Sequence, residues 1–569
     1  MRFNVQGEPT ASTRILIVAS LIAFIFGYFV FRLFGVQVTQ HAEYASAAEE
    51  QSTSTTVQQA QRGQILVRDK DGKIYTLAAS EEEYQLLVAP QQVKNKEALA
   101  AELAKLVPQL SEKEIFTKIN NDRVYVPPLI KGLTRTKADQ IINSEFRGVY
   151  VEPQLVRVYT EGAAIAAQIL GYVGADGQGK YGIEAAYDKV LRGVAGSEQA
   201  KQDSFGRLID ILSGDTPEPG KDVLLTVDYN LQYFVERQLQ TAIKNYKADS
   251  GSIVVMETKT GAILAMAGQP TYDPNNYSKL KPSDQRKFLT PSVSDAYEAG
   301  SVVKPITMAI ALDKGLVKPT TSQVFGGSVK VGGYEIKNAE DKTYGQETMT
   351  EVLQNSDNIA MVWVSKKIGI PNQYSYLQKF GFGDKTHLGL VGESTGVIHQ
   401  QKDWNETLSA TAAFGQGFSL TVIQLANAYA TLANEGRSVY PHLVAGTISG
   451  ETIEPIQYNQ GEQVIKKSTS KSILKMLEAV VLNGHGKKAQ ISGVRVGGKT
   501  GTAEVASASG GYDENKHIGT FAGVFPVNNP KYVMVVRLDD PKTVKFAESS
   551  AAPTFQIIGD WMANYFRLR

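Results

Sequence analysis

From Ile15 to Phe31 the chain reads ILIVASLIAFIFGYFVF, with no charged residue, and after Arg32 the apolar character continues as LFGVQV to Val38. As a helix, Ile15–Phe31 covers about 25 Å, slightly short of a bilayer core near 30 Å. The helix is therefore expected to run on to Val38 while the Arg32 side chain snorkels to the interface. Arg2 and Arg14 precede the run, and the positive-inside tendency assigns residues 1–14 to the cytoplasm and everything beyond residue 38 to the outside. A cleaved signal peptide is the rival reading, on the small residues Ala45, Ser46 and Ala47. That pattern lies well past Phe31 and the run is longer than most signal cores, so an uncleaved signal anchor over 15–38 fits better.

Residues 39–61 are rich in Ala, Glu, Gln, Ser and Thr without apolar periodicity and read as a stalk or loosely helical spacer. Packing resumes at Arg62. Gln64 to Leu77 alternates around Asp71 and Gly72, a hairpin pattern in which Gly takes the positive φ of a tight turn. A helical stretch at Lys96–Leu106 and strand-like runs at Tyr84–Val88 and Val124–Val126 make residues 62–220 an elongated α+β pedestal, or dimerisation-type, domain. A second domain, 221–569, opens on the strand DVLLTVD and a helix from Leu231 to about Tyr246. Gly251–Met256, Ala262–Met266, Thr520–Phe525 and Tyr532–Leu538 read as buried strands, so one antiparallel sheet is closed by both ends of this domain. A last helix, Pro553–Leu568, covers it. The fold class is α+β.

Composition removes several function classes. The 59 basic side chains nearly cancel 58 acidic ones, for a formal charge of +1, which excludes charge-driven nucleic-acid binding as a first reading. The absence of cysteine excludes disulfides, a thiolate nucleophile, iron–sulfur clusters and sulfur-ligated zinc. The six histidines never take i, i+4 spacing, and no metal or cofactor is expected.

Chemistry is suggested by three short patterns in one order. In YEAGSVVKP, Ser301 and Lys304 stand at i, i+3, so on a helix the hydroxyl and the amine share a face. Pro305 is tolerated only in a first turn, which starts the helix at or just after Ser301. The helix dipole and the apolar surroundings both disfavour ammonium at Lys304, making a neutral lysine able to accept the serine proton. The same spacing recurs at Ser278, Ser468 and Ser472, where surface polar residues are the plain reading. Ser356, Asp357 and Asn358 follow in VLQNSDNIA, where a helix cap is the alternative. Lys499, Thr500, Gly501 and Thr502 lie on a strand-like segment, and Lys259, Thr260 and Gly261 echo them in a turn. The ordered conjunction within one domain carries the information.

That conjunction is the motif set of penicillin-binding proteins and class A β-lactamases. The chain resembles the class B, monofunctional penicillin-binding proteins, the peptidoglycan DD-transpeptidases, although Ala299 stands where these usually have proline. The resemblance extends over RGQILVRDKDG (62–72), GYVGADGQGKYGIEAAYDKVLRG (171–193), PTYDPNNY (270–277) and FGQGFSLTVIQLANAYATLANEG (414–436), nearly the whole chain. It implies a serine β-lactamase/DD-peptidase-like catalytic domain with a central antiparallel sheet covered by helices. FGQG and the FGFG at 380–383 resemble the division branch more than the elongation branch, which stays the alternative.

The resemblance implies roles. Ser301 attacks D-Ala-D-Ala and forms an acyl-enzyme that a neighbouring stem peptide resolves. Lys304 is the general base, and Ser356 relays a proton between Lys304, Lys499 and the leaving amine. Asn358 bonds the substrate's amide, Lys499 supplies positive potential, and Thr500 and Thr502 take the terminal carboxylate. The N–H groups of Ser301 and Thr502 form the oxyanion hole. Gly501 leaves room for substrate to add as a strand. Asp357 reads as a solvated or capping carboxylate and His485 as a loop residue. Implied partners are stem peptides and nascent glycan strands, β-lactam antibiotics, the membrane, other division proteins and a SEDS-class polymerase, since no polymerising domain precedes residue 221. A serine β-lactamase has no use for the pedestal, and a β-lactam sensor needs more spans. A non-catalytic scaffold sits poorly with six intact motif residues.

Overall fold

The computed structural model describes residues 11–124, 126–160, 165–202, 208–450, 452–459, 461–506 and 511–569. Arg2, used above for topology, and Tyr125 lie outside the described residues. Two compact units emerge, one of residues 1–61 and 193–219, the other of 62–192 and 220–569.

In the first unit, a helix at Ala11–Phe34 passes into a π-helical turn at Gly35–Thr39. Among the described residues it is the one helix long and apolar enough to cross a membrane, with mean hydropathy 2.3 and no buried residue. Such a surface needs an apolar solvent. The expected loosely helical spacer is helical in its first half and a strand in its second. Residues His41–Ser52 are helical, and Thr53–Gln58 is a strand paired antiparallel with Gly196–Gln202, which pairs in turn with Leu208–Asp215. The β-branched run Thr53, Thr55, Thr56, Val57 suits a strand, but its partner is about 140 residues away, which no local pattern announces.

Among the described residues, the second unit is built on two large sheets, of seven and five strands, beside three two-stranded ones. Ile65–Arg68 and Ile74–Val88 form the expected hairpin: Asp69 Oδ1 accepts from the N–H groups of Asp71 and Lys73, each at 3.0 Å, and Gly72 takes φ 86°. The helix Lys96–Leu106 is capped by Asn95, whose side chain accepts from Ala98 N at 3.0 Å. No strand forms at Val124 or Val126; the strand falls at Ile130–Leu133 instead. The DVLLTVD strand, Asp222–Asp228, lies parallel to Ile65–Arg68 and antiparallel to Val444–Ser449. The segments on either side of Gly220 thus share a sheet, because Val223, Leu225 and Val227 pack in one core with Ile65, Val67 and Leu77.

The second sheet has the antiparallel order Ile263–Gln269, Ser250–Glu257, Tyr532–Asp539, Tyr512–Phe525, Gly497–Ala506. Its strands read as continuous apolar runs because both faces are covered. Val254 and Met256 face a core that includes the helix Val422–Ala433, while Ile253 and Val255 face one shared with the helices Tyr229–Tyr246 and Ala551–Tyr565. Gly497–Ala506, which carries the KTGT residues, is an edge strand.

Candidate active site

Residues Gly300–Val303 form a 3-10 turn that feeds the helix Lys304–Asp313, with Pro305 in the first turn as its chemistry requires. Gly300 adopts φ 62°, and its N–H donates to Gly415 O at 3.0 Å. A Cβ on Gly415 would lie 2.2 Å from Gly300 O, so the FGQG segment seats the nucleophile turn from behind. Tyr429, fully buried, donates to Val302 O at 2.8 Å from the helix that follows. Gly415 and Tyr429 thus hold the nucleophile turn from behind without lining the cavity.

The SDN residues join two helices. Thr348 and Glu351 make a capping box that starts Met349–Asn355, and Ser356 ends it in the left-handed region at φ 59° and ψ 41°. Asp357 then caps Asn358–Ile368, accepting from Ala360 N at 2.6 Å. The capping half of the expectation for Asp357 holds, but the residue is fully buried rather than solvated.

Lys304 Nζ lies 2.6 Å from Ser356 O, 3.1 Å from Ser356 Oγ and 2.7 Å from Asn358 Oδ1, with no solvent exposure. Burial, and then the charge of Lys499, hold this amine well below the ordinary lysine range, against the opposing pull of Asp357 and Glu347. Lys499 is equally buried and donates to Thr500 O at 3.1 Å; desolvation pushes it down to about 7. Two lysines therefore face a dry region from different elements.

Ser301, Ser356, Asn358, Thr500 and Thr502 line one cavity of about 590 Å³. Thr502 Oγ1 accepts from Ala547 N at 3.1 Å, which leaves its hydroxyl proton available to an anion. Asn358 is more committed than the sequence suggests: besides Lys304, it serves Lys337 O at 2.9 Å through Nδ2. A Cβ on Gly501 would lie 2.7 Å from Ala299 O and 3.1 Å from Val302 N, so its missing side chain also admits the nucleophile turn.

Sequence reasoning missed Tyr344, Phe414, Gln416, Phe546 and Glu548 on the cavity wall, and Glu347 behind it. His485 follows the helix Lys467–Asn483 in a loop as expected, yet it also lines the cavity, with Nδ1 2.9 Å from Glu548 Oε2. Nothing local to Glu548 signals a partner 63 residues away. Among the described residues no group of three or more His, Asp and Glu could hold a metal ion.

Comparison with known proteins agrees with this geometry. The family described as "Penicillin binding protein transpeptidase domain" matches residues 251–560, and "Penicillin-binding Protein dimerisation domain" matches 57–225. Stage V sporulation protein D of Bacillus subtilis is 34% identical over 96% of this chain and 84% of its own length. Peptidoglycan D,D-transpeptidase FtsI of Escherichia coli K12 is 34% identical over 76% of this chain and 71% of its own. The crystal structure of penicillin-binding protein 3 from Mycobacterium tuberculosis, complexed with aztreonam, superposes with a TM-score of 0.69 at 27% identity, covering 90% of this chain and 98% of that one. With a dimerisation and a transpeptidase domain in tandem on the β-lactamase/DD-peptidase fold, the chain belongs to the class B penicillin-binding proteins.

Proposed function

We propose that the chain is a membrane-anchored peptidoglycan D,D-transpeptidase of the division septum, with Ser301 as its nucleophile and Lys304 as the base that activates it. The buried amine of Lys304 carries this reading. A neutral amine has two N–H donors and one lone pair; Ser356 O and Asn358 Oδ1, which can only accept, take both donors. The lone pair is then left for a hydroxyl proton, from Ser301 one turn away or from Ser356 Oγ.

In the first half-reaction the Ser301 hydroxyl attacks the penultimate D-alanine carbonyl as its proton passes to Lys304. The N–H groups of Ser301 and Thr502 hold the oxyanion, each such donor contributing about 3 kcal/mol to the transition state. Collapse breaks the amide, and the leaving D-alanine amine takes a proton through Ser356. Thr500 and Thr502 hold the terminal carboxylate, and Lys499, buried behind them, adds positive potential. The stem peptide lies along the free edge of Gly497–Ala506, and Asn358 meets its amide with the N–H and the lone pair that its internal bonds leave over. An amine of a second stem peptide then attacks the ester and restores Ser301, closing the cross-link. A β-lactam enters as a strained analogue of the donor and leaves a stable ester.

The anchor helix holds residues 1–14 in the cytoplasm and the cleft outside. Residues 62–220 act as pedestal and 221–569 as the catalytic domain. Anchor and pedestal contact the glycan polymerase, of the SEDS class, and other division proteins. The likeness of FGQG and FGFG to the division branch, and the FtsI relative, support the septal role.

The deciding experiment is covalent labelling of the full-length chain with a fluorescent penicillin, followed by mass spectrometry of the modified peptide. The label is expected on Ser301 and is expected to vanish in Ser301→Ala. Persistent labelling of that variant, or a label elsewhere, overturns the assignment.

A further inference from the structure

Behind the SDN turn lies a pair of acids that the mechanism above does not use. Glu347, on the strand Gly345–Thr348, is 2% exposed and Asp357 is fully buried, and the two carboxyl groups bear directly on each other. Both oxygens of Asp357 already accept, Oδ1 from Ala360 N at 2.6 Å and Oδ2 from Asn338 Nδ2 at 3.0 Å. Glu347 Oε1 accepts from Asn355 Nδ2 at 2.8 Å, while Glu347 Oε2 is buried and has no donor. A carboxyl oxygen with no donor, facing a second carboxylate in a dry site, is resolved by a proton between them. With that proton Glu347 becomes the donor and the pair holds one negative charge.

The pair also grips the turn from both sides. Glu347 holds Asn355, the residue before Ser356, and Asp357 is the residue after it. Asn338 closes the loop, accepting from Asn358 N at 2.6 Å while donating to Asp357. Between these anchors Ser356 sits in the left-handed region, a conformation that a non-glycine residue keeps only where its surroundings impose it. Lys304 in turn is held by Ser356 and Asn358.

Resting on the transpeptidase reading, we propose that Glu347 and Asp357 are positioning residues for acyl transfer: sharing one proton, they clamp the Ser356 turn and limit the negative charge felt by Lys304 to a single unit. A second negative charge would hold Lys304 as ammonium and remove its lone pair. The groups that bear on this balance are Lys499 beside Lys304, and Glu351 and Tyr344 beside the acids. Burial, reinforced by Asp357, pushes Glu347 up to about 7, so the second charge develops in the range where the enzyme must work.

The test is the pH dependence of the acylation rate of the full-length chain with a fluorescent penicillin. In the wild type the acid limb, where Lys304 loses its proton, is drawn to higher pH and broadened as the pair ionises. Glu347→Gln keeps both hydrogen bonds and fixes the pair at one charge, so its acid limb should move down by about half a pH unit or more and sharpen. Asp357→Asn also limits the pair to at most one charge, now on Glu347, but it cannot accept from both Ala360 N and Asn338; it should show a displacement in the same direction with a plateau lower by about tenfold or more. Glu347→Asp keeps an ionisable acid and should restore the wild-type limb. An acid limb unmoved in both amide variants, whatever their plateaus, overturns the proposal while leaving the nucleophile assignment intact. A wild-type chain that never labels overturns both.

Discussion

Two clusters of buried charge lie in the same compact unit and behave oppositely. In the first, Glu184 is fully buried and accepts from Arg62 Nε and Arg157 Nε, both at 2.7 Å, while Arg62 also reaches Asp188 at 2.8 Å and Glu184 O at 3.0 Å. Opposite charges alternate there, and apart from Arg157 Nη2 almost every polar atom is partnered. Burial pulls Asp188 upward, yet the Gly179 N–H and the Arg62 guanidinium hold it below the usual carboxylate range. In the second cluster like charges are brought together: two fully buried lysines beneath the cavity wall and two acids near Lys304. Burial there drives groups toward their neutral forms. The first arrangement is what a fold needs to tie a hairpin to its neighbours, and the second is what proton transfer needs. Burial alone does not separate structural from chemical charge; the sign of the neighbours does.

The largest effect that could break this contrast comes from Lys304→Met, which keeps the volume and removes the amine. Acylation should fall by about a hundred- to ten-thousand-fold in stopped-flow labelling. The melting temperature should hold or rise, because a buried amine is costly to desolvate. A fall of several degrees would move Lys304 into the structural class. Glu184→Gln is the mirror case: it leaves two buried guanidinium groups undercompensated and should cost about 3–5 kcal/mol in denaturant unfolding. Acylation per folded molecule should stay within a few-fold, and a larger loss would mean that the first cluster also serves chemistry.

The smallest effect sharpens the comparison through pH. Lys499 titrates at about 7 when folded and near 10.5 when unfolded. Between those values the unfolded chain binds the extra proton, so stability rises with pH across this window and reaches its full gain above it. Below about 7 both forms are charged and the desolvation penalty is constant. Lys499→Met should flatten the rise in melting temperature between pH 7 and 10, and an unchanged slope would contradict a neutral Lys499.

Much of this molecule is legible locally. The uncharged run before Arg32, the Asp69–Gly72 turn and the helix behind Asn95 each follow from composition, backbone preference or a cap within a few residues. The motif residues Ser301, Lys304, Ser356, Asn358 and Lys499 are also legible, since their spacing implies elements that can present them. The physical reason is that helices, turns and caps are made by neighbours in the chain. Tertiary structure alone decided the rest: that Asp222–Asp228 pairs beside Ile65–Arg68, that Gly501 is small to admit the nucleophile turn, that Glu298 accepts from Tyr512 at 2.9 Å, and that His485 meets Glu548. Above all it decided which charges lose their water. Solvent exclusion is a property of the whole packed unit, and on it depends whether a lysine is an ion or a base.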